Sequence, residues 1–208
     1  LQMMGEEPWR IHVTGAPGLD RLPKGFVAPH PTRPVILVTL HSCTLEYDHT
    51  PYDVRALSSA LFELDAEVLM TAPNADTHSS VITKYLGEVA RLRPNARWIE
   101  PTDSHYLEIM ASADVMVGNS SSGIIEAPSF RLPVVNIGNR QKGRLRGDNV
   151  IDVPAETAAI RDGIRRALDP AFRAALSGVN PYGDGQSAPR IAEILRTVLL
   201  DRKLVEKC

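Results

Sequence analysis

Seven consecutive residues, Pro34-Val35-Ile36-Leu37-Val38-Thr39-Leu40, are apolar or β-branched with no polar alternation. A strand with one wet face alternates polar and apolar side chains. An unbroken run of this length reads as a strand buried on both faces, the condition of a central strand in a parallel sheet covered by helices. Similar runs recur at Ala66–Ala72, Ala96–Ile99, Asp114–Gly118, Pro133–Ile137 and Asn149–Val153. Between them lie segments with helical spacing: Asp53–Leu64, Val81–Arg93, Ser104–Ser112 (capped by Asp103 or Ser104), Gly123–Phe130 and Glu156–Leu168. Pro189–Leu200 closes the series, with Gln186 or Ser187 as its cap. Alternating strand and helix predicts an α/β fold, a doubly wound parallel sheet of Rossmann-like kind. Trp9–Thr14 alternates and ends in Gly15-Ala16-Pro17-Gly18, which reads as one more strand and a turn. Arg21–Arg33, with Pro23, Gly25, Pro29 and Pro31, reads as a linker.

Right-handed crossovers place every strand C-terminus on one edge of such a sheet, and ligands bind there. The polar clusters of this chain follow strands. His41 follows the first buried run, Asn74 the second, Asn119-Ser120-Ser121-Ser122 the fourth and Asn139-Arg140 the fifth. The run Val117-Gly118-Asn119-Ser120-Ser121-Ser122-Gly123-Ile124-Ile125-Glu126 reads as strand, turn and helix start. Backbone N–H groups and the positive end of a helix dipole then converge on one spot, where small side chains admit an anion. Glu126 falls about one turn into the helix, where a carboxylate can accept from a diol. Phosphate beside ribose suits this layout. Each residue also has a plainer reading: serines as ordinary helix caps, His41 as a strand-end imidazole on a carbonyl, Asn74 as a turn residue. Arg140 can equally belong to a solvated basic loop with Lys142, Arg144 and Arg146; its place nearest the strand end favours an anion-reading role.

Composition narrows the function classes. The net charge of −2 provides no basic excess for a nucleic-acid backbone, so no nucleic-acid partner is expected. The apolar runs fall far short of a membrane span, and no membrane partner is expected. Two cysteines, Cys43 and Cys208, with no CxxC pair, point to a reducing, cytoplasmic setting and away from a disulfide framework or thiolate metal site. The six histidines form no HxxxH or HxH pair, so no metal site is expected. GxSxG, GxGxxG and GxxxxGK[ST] are all absent, which removes the acyl-hydrolase elbow, the dinucleotide fingerprint and the P-loop. No cofactor is called for. The chain opens on Leu1 with residues resembling a frayed helix end, and reads as a piece of a longer protein.

Five segments together resemble the hydrolysing UDP-N-acetylglucosamine 2-epimerases. They are Val13–Asp20, Val38–Thr44, Gly118–Ser129, Pro133–Val153 (with Asn136-Ile137-Gly138-Asn139-Arg140-Gln141-Lys142-Gly143-Arg144) and Asn180–Gly185 leading into Arg190-Ile191. They run in family order along nearly the whole chain. The resemblance implies one lobe of a two-lobed GT-B-type architecture. It divides the chain into 1–33, the end of an N-terminal lobe and linker; 34–185, a UDP-binding lobe; and 186–208, a helix crossing back. It implies UDP-sugar as the small-molecule partner, a catalytic His41, and substrate-binding Asn74, Ser120, Ser121, Glu126 and Arg140. Ser120 and Ser121 would take the phosphates and Glu126 the ribose hydroxyls. His41, Asn74 and Arg140 would line the diphosphate and sugar side. The implied reaction removes the C2 proton, expels UDP by anti elimination and adds water to give N-acetylmannosamine. The family's N-terminal lobe, with its Gly-Thr-Arg-type loop and proton-transfer acids, has no counterpart in this sequence, so the chain alone is expected to be inactive. A homodimer is usual in the family. Ser42 stands where the hydrolysing branch commonly has Pro. Two other readings share the same grip: the nucleotide-sugar lobe of a GT-B glycosyltransferase, and a non-catalytic UDP-sugar-binding module.

Overall fold

The computed structural model describes residues 1–23, 32–100 and 103–201. Six strands form one sheet: β1 (Val35–Thr39), β2 (Glu67–Thr71), β3 (Ala96–Ile99), β4 (Val115–Gly118), β5 (Val134–Ile137) and β6 (Val150–Val153). Their order is β3-β2-β1-β4-β5-β6, and every pairing is parallel. Chain order reverses between β1 and β4, the switch point at which an open α/β sheet leaves a crevice. The helices are α1 (Thr50–Phe62), α2 (Ser79–Leu92), α3 (Asp103–Ser112), α4 (Ser122–Ile125), α5 (Thr157–Leu168), α6 (Pro170–Ala175) and α7 (Ser187–Thr197).

The buried run of β1 explains the two-sided cover. Successive side chains of a strand point to opposite faces. Ile36, Val38 and Leu40 join one core with Leu57 and Leu61 of α1, Leu86 of α2 and Ile164 of α5. Val35 and Leu37 join a second core with Met110 of α3, Met116 of β4 and Leu132. Burying both faces of one strand requires helices on both sides, and the helices sort accordingly. The start of β4 is tied to β1 by Asp114: its carboxylate accepts from the Val35 N–H at 2.9 Å and pairs with Arg173 at 2.8 Å. Arg93, 8% exposed, ends α2 and donates to the carbonyls of Leu61, Leu64 and Ala66, so one guanidinium satisfies the C-terminal end of α1 and the entry to β2.

The chain divides into two compact units, Leu1–Leu22 with Tyr182–Cys208, and Pro23–Pro181, which contains the sheet. In the first, the Ala16 N–H donates to the Tyr182 carbonyl at 2.8 Å, and Arg190 forks onto Asp184 with two 2.7 Å bonds.

Three local expectations need correction, and one short helix is added to them. Trp9–Thr14 is not a strand: Pro8 opens a 3-10 turn over Pro8–Arg10 and the following residues are irregular, in a unit whose described residues offer no strand to pair with. Gly123–Phe130 is not one helix. Pro128 has no N–H and its ring crowds the carbonyl four residues back, so α4 stops after a single turn and a 3-10 turn, Ala127–Phe130, follows. Gln186 holds the N-cap position of the last helix but its side chain makes no cap bond. The Asp20 carboxylate accepts from the Ser187 N–H at 2.8 Å and from the Ala188 N–H. Finally, α6 was not anticipated, although Asp169-Pro170 carries its signal: Asp169 accepts from the Ala171 N–H at 2.7 Å, with Pro at the first helical position. The linker at Arg21–Arg33 lies largely outside the described residues, as do the Asp103 and Ser104 side chains proposed as a cap.

Candidate functional site

The switch point is closed by a two-way clamp. The His41 N–H donates to Asn119 Oδ1 at 2.8 Å, and Asn119 Nδ2 donates to the His41 carbonyl at 2.8 Å. The Asn119 N–H reaches the Thr39 carbonyl at 3.1 Å. The ends of β1 and β4 are thus locked together just beyond their last paired residues, Thr39 and Gly118. The Asn119 carbonyl in turn accepts from Arg140 at 3.1 Å and from Gln141 Nε2 at 2.7 Å, which brings the residues after β5 to the same place. His41, Asn119 and Arg140 come from three strands and meet at one sheet edge.

The geometry fixes the state of His41. The Asn74 N–H donates to His41 Nδ1 at 3.1 Å, so Nδ1 is an acceptor and the ring proton sits on Nε2. Among the described residues Nε2 has no protein partner. Burial, then the Arg140 charge, lower the His41 pKa from 6.5 to about 4, with Asp76 opposing. His41 is therefore a neutral N–H donor at pH 7. Because its folded pKa is depressed, its contribution to stability is complete above pH 6.5 and is lost as pH falls toward about 4. A histidine-resolved NMR titration should place the His41 midpoint near 4, and Arg140→Ala should raise it without restoring 6.5, since burial is the larger cause. An ordinary midpoint in the parent chain would contradict this environment.

Ser120, Ser121 and Glu126 follow directly. The Ser120 and Ser122 hydroxyls are 2.8 Å apart, and Ser122 is 2.8 Å from the Tyr106 phenol. Ser121 occupies the N-cap position of α4 but makes no side-chain cap bond. A helix of four residues supplies little macrodipole, so the anion attraction expected from a long helix start is small here. Glu126 is half-buried, and its carboxylate has no hydrogen-bond partner in another described residue. Burial raises its pKa. A carboxylate so placed keeps unspent acceptor capacity. Asn180 steadies this turn by donating to the Ile125 carbonyl at 2.8 Å, an acceptor freed where α4 breaks.

Asn74 enters the site through its backbone; its side chain is exposed. In the basic loop, Lys142 and Arg144 are exposed, whereas Arg146 pairs with Asp152 and donates to the Gln141 carbonyl at 2.9 Å. Sequence reasoning placed Asn119 and Ser122 in the polar cluster after the fourth strand without giving either a role, and did not single out Tyr106 or Gln141. Only Asn119 and Ser122 carried a signal, by lying within the turn after a buried strand. Among the described residues no three His, Cys, Asp or Glu side chains are grouped to hold a metal ion, and no helix is long and apolar enough to cross a membrane.

This constellation can be set against known proteins. The family profile of UDP-N-acetylglucosamine 2-epimerases matches residues 1–196. The chain belongs to that family. A Legionella pneumophila protein named UDP-N,N'-diacetylbacillosamine 2-epimerase (hydrolyzing) is 34% identical over 219 residues, covering 100% of this chain and 57% of that protein. The UDP-N-acetylglucosamine 2-epimerase of Neisseria meningitidis is 28% identical, covering 94% of this chain and 54% of its own length. The solved structure of the Neisseria meningitidis enzyme bound to UDP-GlcNAc has a TM-score of 0.72 at 18% identity, covering 95% of this chain and 58% of that one. At that identity the likeness establishes the fold, the α/β sheet of the GT-B-like epimerases. The chain spans about half the length of the curated relatives it matches.

Proposed function

We propose that this chain supplies the UDP-sugar grip of a hydrolysing 2-epimerase, which converts a UDP-N-acetylated hexosamine and water to the free 2-epimeric sugar and UDP. UDP-N-acetylglucosamine is the reference substrate; a diacetamido sugar of the bacillosamine type would use the same grip. The observation that carries the reading is the convergence, at the β1/β4 switch point, of a neutral imidazole with an unpartnered Nε2–H and a guanidinium held on the Asn119 carbonyl. Both bring N–H donors to the same strand ends, with the Asp76 carboxylate opposing at His41, and charge-assisted donors of this kind suit a diphosphate.

In this reading Ser120, Ser121, His41 and Arg140 hold the diphosphate, and Glu126 accepts from the ribose hydroxyls. Asn74 sets the His41 tautomer. Negative charge gathers on the β-phosphate as UDP leaves, and preorganised donors are worth most at that moment. The proton-transfer acids at the sugar C2 belong to the other lobe.

Two measurements test this. Calorimetry on the 208-residue chain should show UDP binding, and uridine binding more weakly. The complete open reading frame should release free N-acetylmannosamine, or its diacetamido counterpart, from the UDP-sugar. Transfer of the sugar to an acceptor would favour a glycosyltransferase instead, and no heat with UDP would remove the site.

A further inference from the structure

Ser120 has an asymmetry that its own position does not explain. Its Oγ lies 2.8 Å from Ser122 Oγ and 3.4 Å from the Ser122 N–H. Ser122 Oγ lies 2.8 Å from the Tyr106 phenol, which also contacts the Thr39 hydroxyl. Three hydroxyls therefore run in series from α3 to the turn after β4. A hydroxyl has one hydrogen and two lone pairs, so in such a chain each donation fixes the next.

The direction follows from the Thr39 hydroxyl and from acidity. Thr71 donates to the Thr39 hydroxyl at 3.0 Å, which leaves the Thr39 hydrogen for the phenol oxygen. A phenol is also a stronger donor than an aliphatic alcohol, so the sense we assign to the Tyr106–Ser122 pair has Tyr106 donating to Ser122. Ser122 then spends its hydrogen on Ser120. The Ser120 oxygen accepts from the Ser122 hydroxyl and from the Ser122 N–H, which fills both lone pairs. Its own hydrogen is left to point away from the chain. Hydroxyls linked in this sense polarise one another, which strengthens the terminal donor. Tyr106 is partly buried and desolvation raises its pKa, so it stays protonated and the direction does not reverse near neutral pH.

We propose that Tyr106 is a positioning residue for the diphosphate site: through Ser122 it orients the Ser120 hydroxyl as an outward donor to a phosphate oxygen. This rests on the UDP-grip reading above. Tyr106 acts at a distance and needs no contact with the anion. Without the phenolic hydrogen, Ser122 can rotate and Ser120 is free to turn its hydrogen inward, so the site loses a preset donor rather than a side chain.

The test is UDP calorimetry on the 208-residue chain with Tyr106→Phe, Ser120→Ala and the pair combined. Tyr106→Phe should weaken UDP binding about tenfold, equivalent to about 1.4 kcal/mol, while uridine affinity holds. Ser120→Ala should weaken UDP comparably, and the double variant should be no weaker than Ser120→Ala alone, because both changes remove one donor. A general packing defect would instead lower uridine affinity too and add to Ser120→Ala. Additive losses, or full UDP affinity in Tyr106→Phe, would overturn the proposal while leaving the UDP site standing. Failure of the parent chain to bind UDP would remove both. Should Tyr106→Phe not fold, Ser122→Ala breaks the same series and decides by the same comparison.

Discussion

Gly118→Ala should cost more than about 4 kcal/mol, enough to lower the thermal midpoint by roughly 8–16 °C in a chain of this size or to abolish soluble expression. Gly118 ends β4 at φ +139, where L side chains are strained. Strain alone costs on the order of 1–3 kcal/mol. The greater part comes from space. A Cβ at this position would fall well inside contact distance of the Thr39 carbonyl oxygen and carbon, and 3.3 Å from the Leu40 nitrogen. These are backbone atoms of the neighbouring strand and cannot rotate aside. Relief requires parting β1 from β4, which breaks the Asn119 N–H bond to Thr39 and the Asn119 clamp on His41. Gly138→Ala is the matched control. It sits at φ +70, but an added Cβ meets nothing within 4 Å, so only the left-handed backbone cost, roughly 1–2 kcal/mol, is expected. Chemical unfolding of the three proteins reads the difference directly. Equal stabilities of the two variants would mean that the strand ends do not approach as closely as described.

The contrast between these glycines marks what the sequence could reveal. Continuous apolar runs made β1 and its parallel neighbours legible, because burial on both faces leaves no other pattern. The polar clusters after the strands were legible for the same reason: once the strands are parallel, their C-termini share an edge. Contacts that join residues distant in sequence left no trace. The Asp20 carboxylate caps a helix that begins at Ser187, and nothing near either residue records it. The Asn119 clamp on His41 and the Asn74 N–H that fixes the imidazole tautomer are likewise products of topology. Residues of low local information were missed outright; Tyr106 reads as one more partly apolar helix position. Periodicity also outran chemistry at Gly123–Phe130, where the apolar spacing continues but Pro128 ends the helix.

Arg140→Ala should lower UDP affinity about a hundredfold, close to 2.7 kcal/mol, with little change in stability. The two halves of that expectation have separate physical grounds. Arg140 makes one hydrogen bond among the described residues, to the Asn119 carbonyl, and a guanidinium carries five N–H donors. Most of its donor capacity is therefore unspent inside the protein. Charge-assisted bonds to a diphosphate are about twice as strong as neutral ones, and a planar fork can engage two oxygens at once. Stability survives because the Asn119 carbonyl keeps its 2.7 Å bond from Gln141, so no buried acceptor is orphaned and the clamp on His41 persists. Arg140→Lys should recover only part of the affinity, since an ammonium restores the charge without the fork. Uridine, which lacks the diphosphate, should bind the parent and both variants alike, and the salt dependence of UDP binding should flatten in Arg140→Ala as one cation leaves the site. Unchanged UDP affinity in a well-folded Arg140→Ala protein would show that the guanidinium serves the Asn119 turn alone, and the diphosphate would then have to be placed elsewhere along the sheet edge.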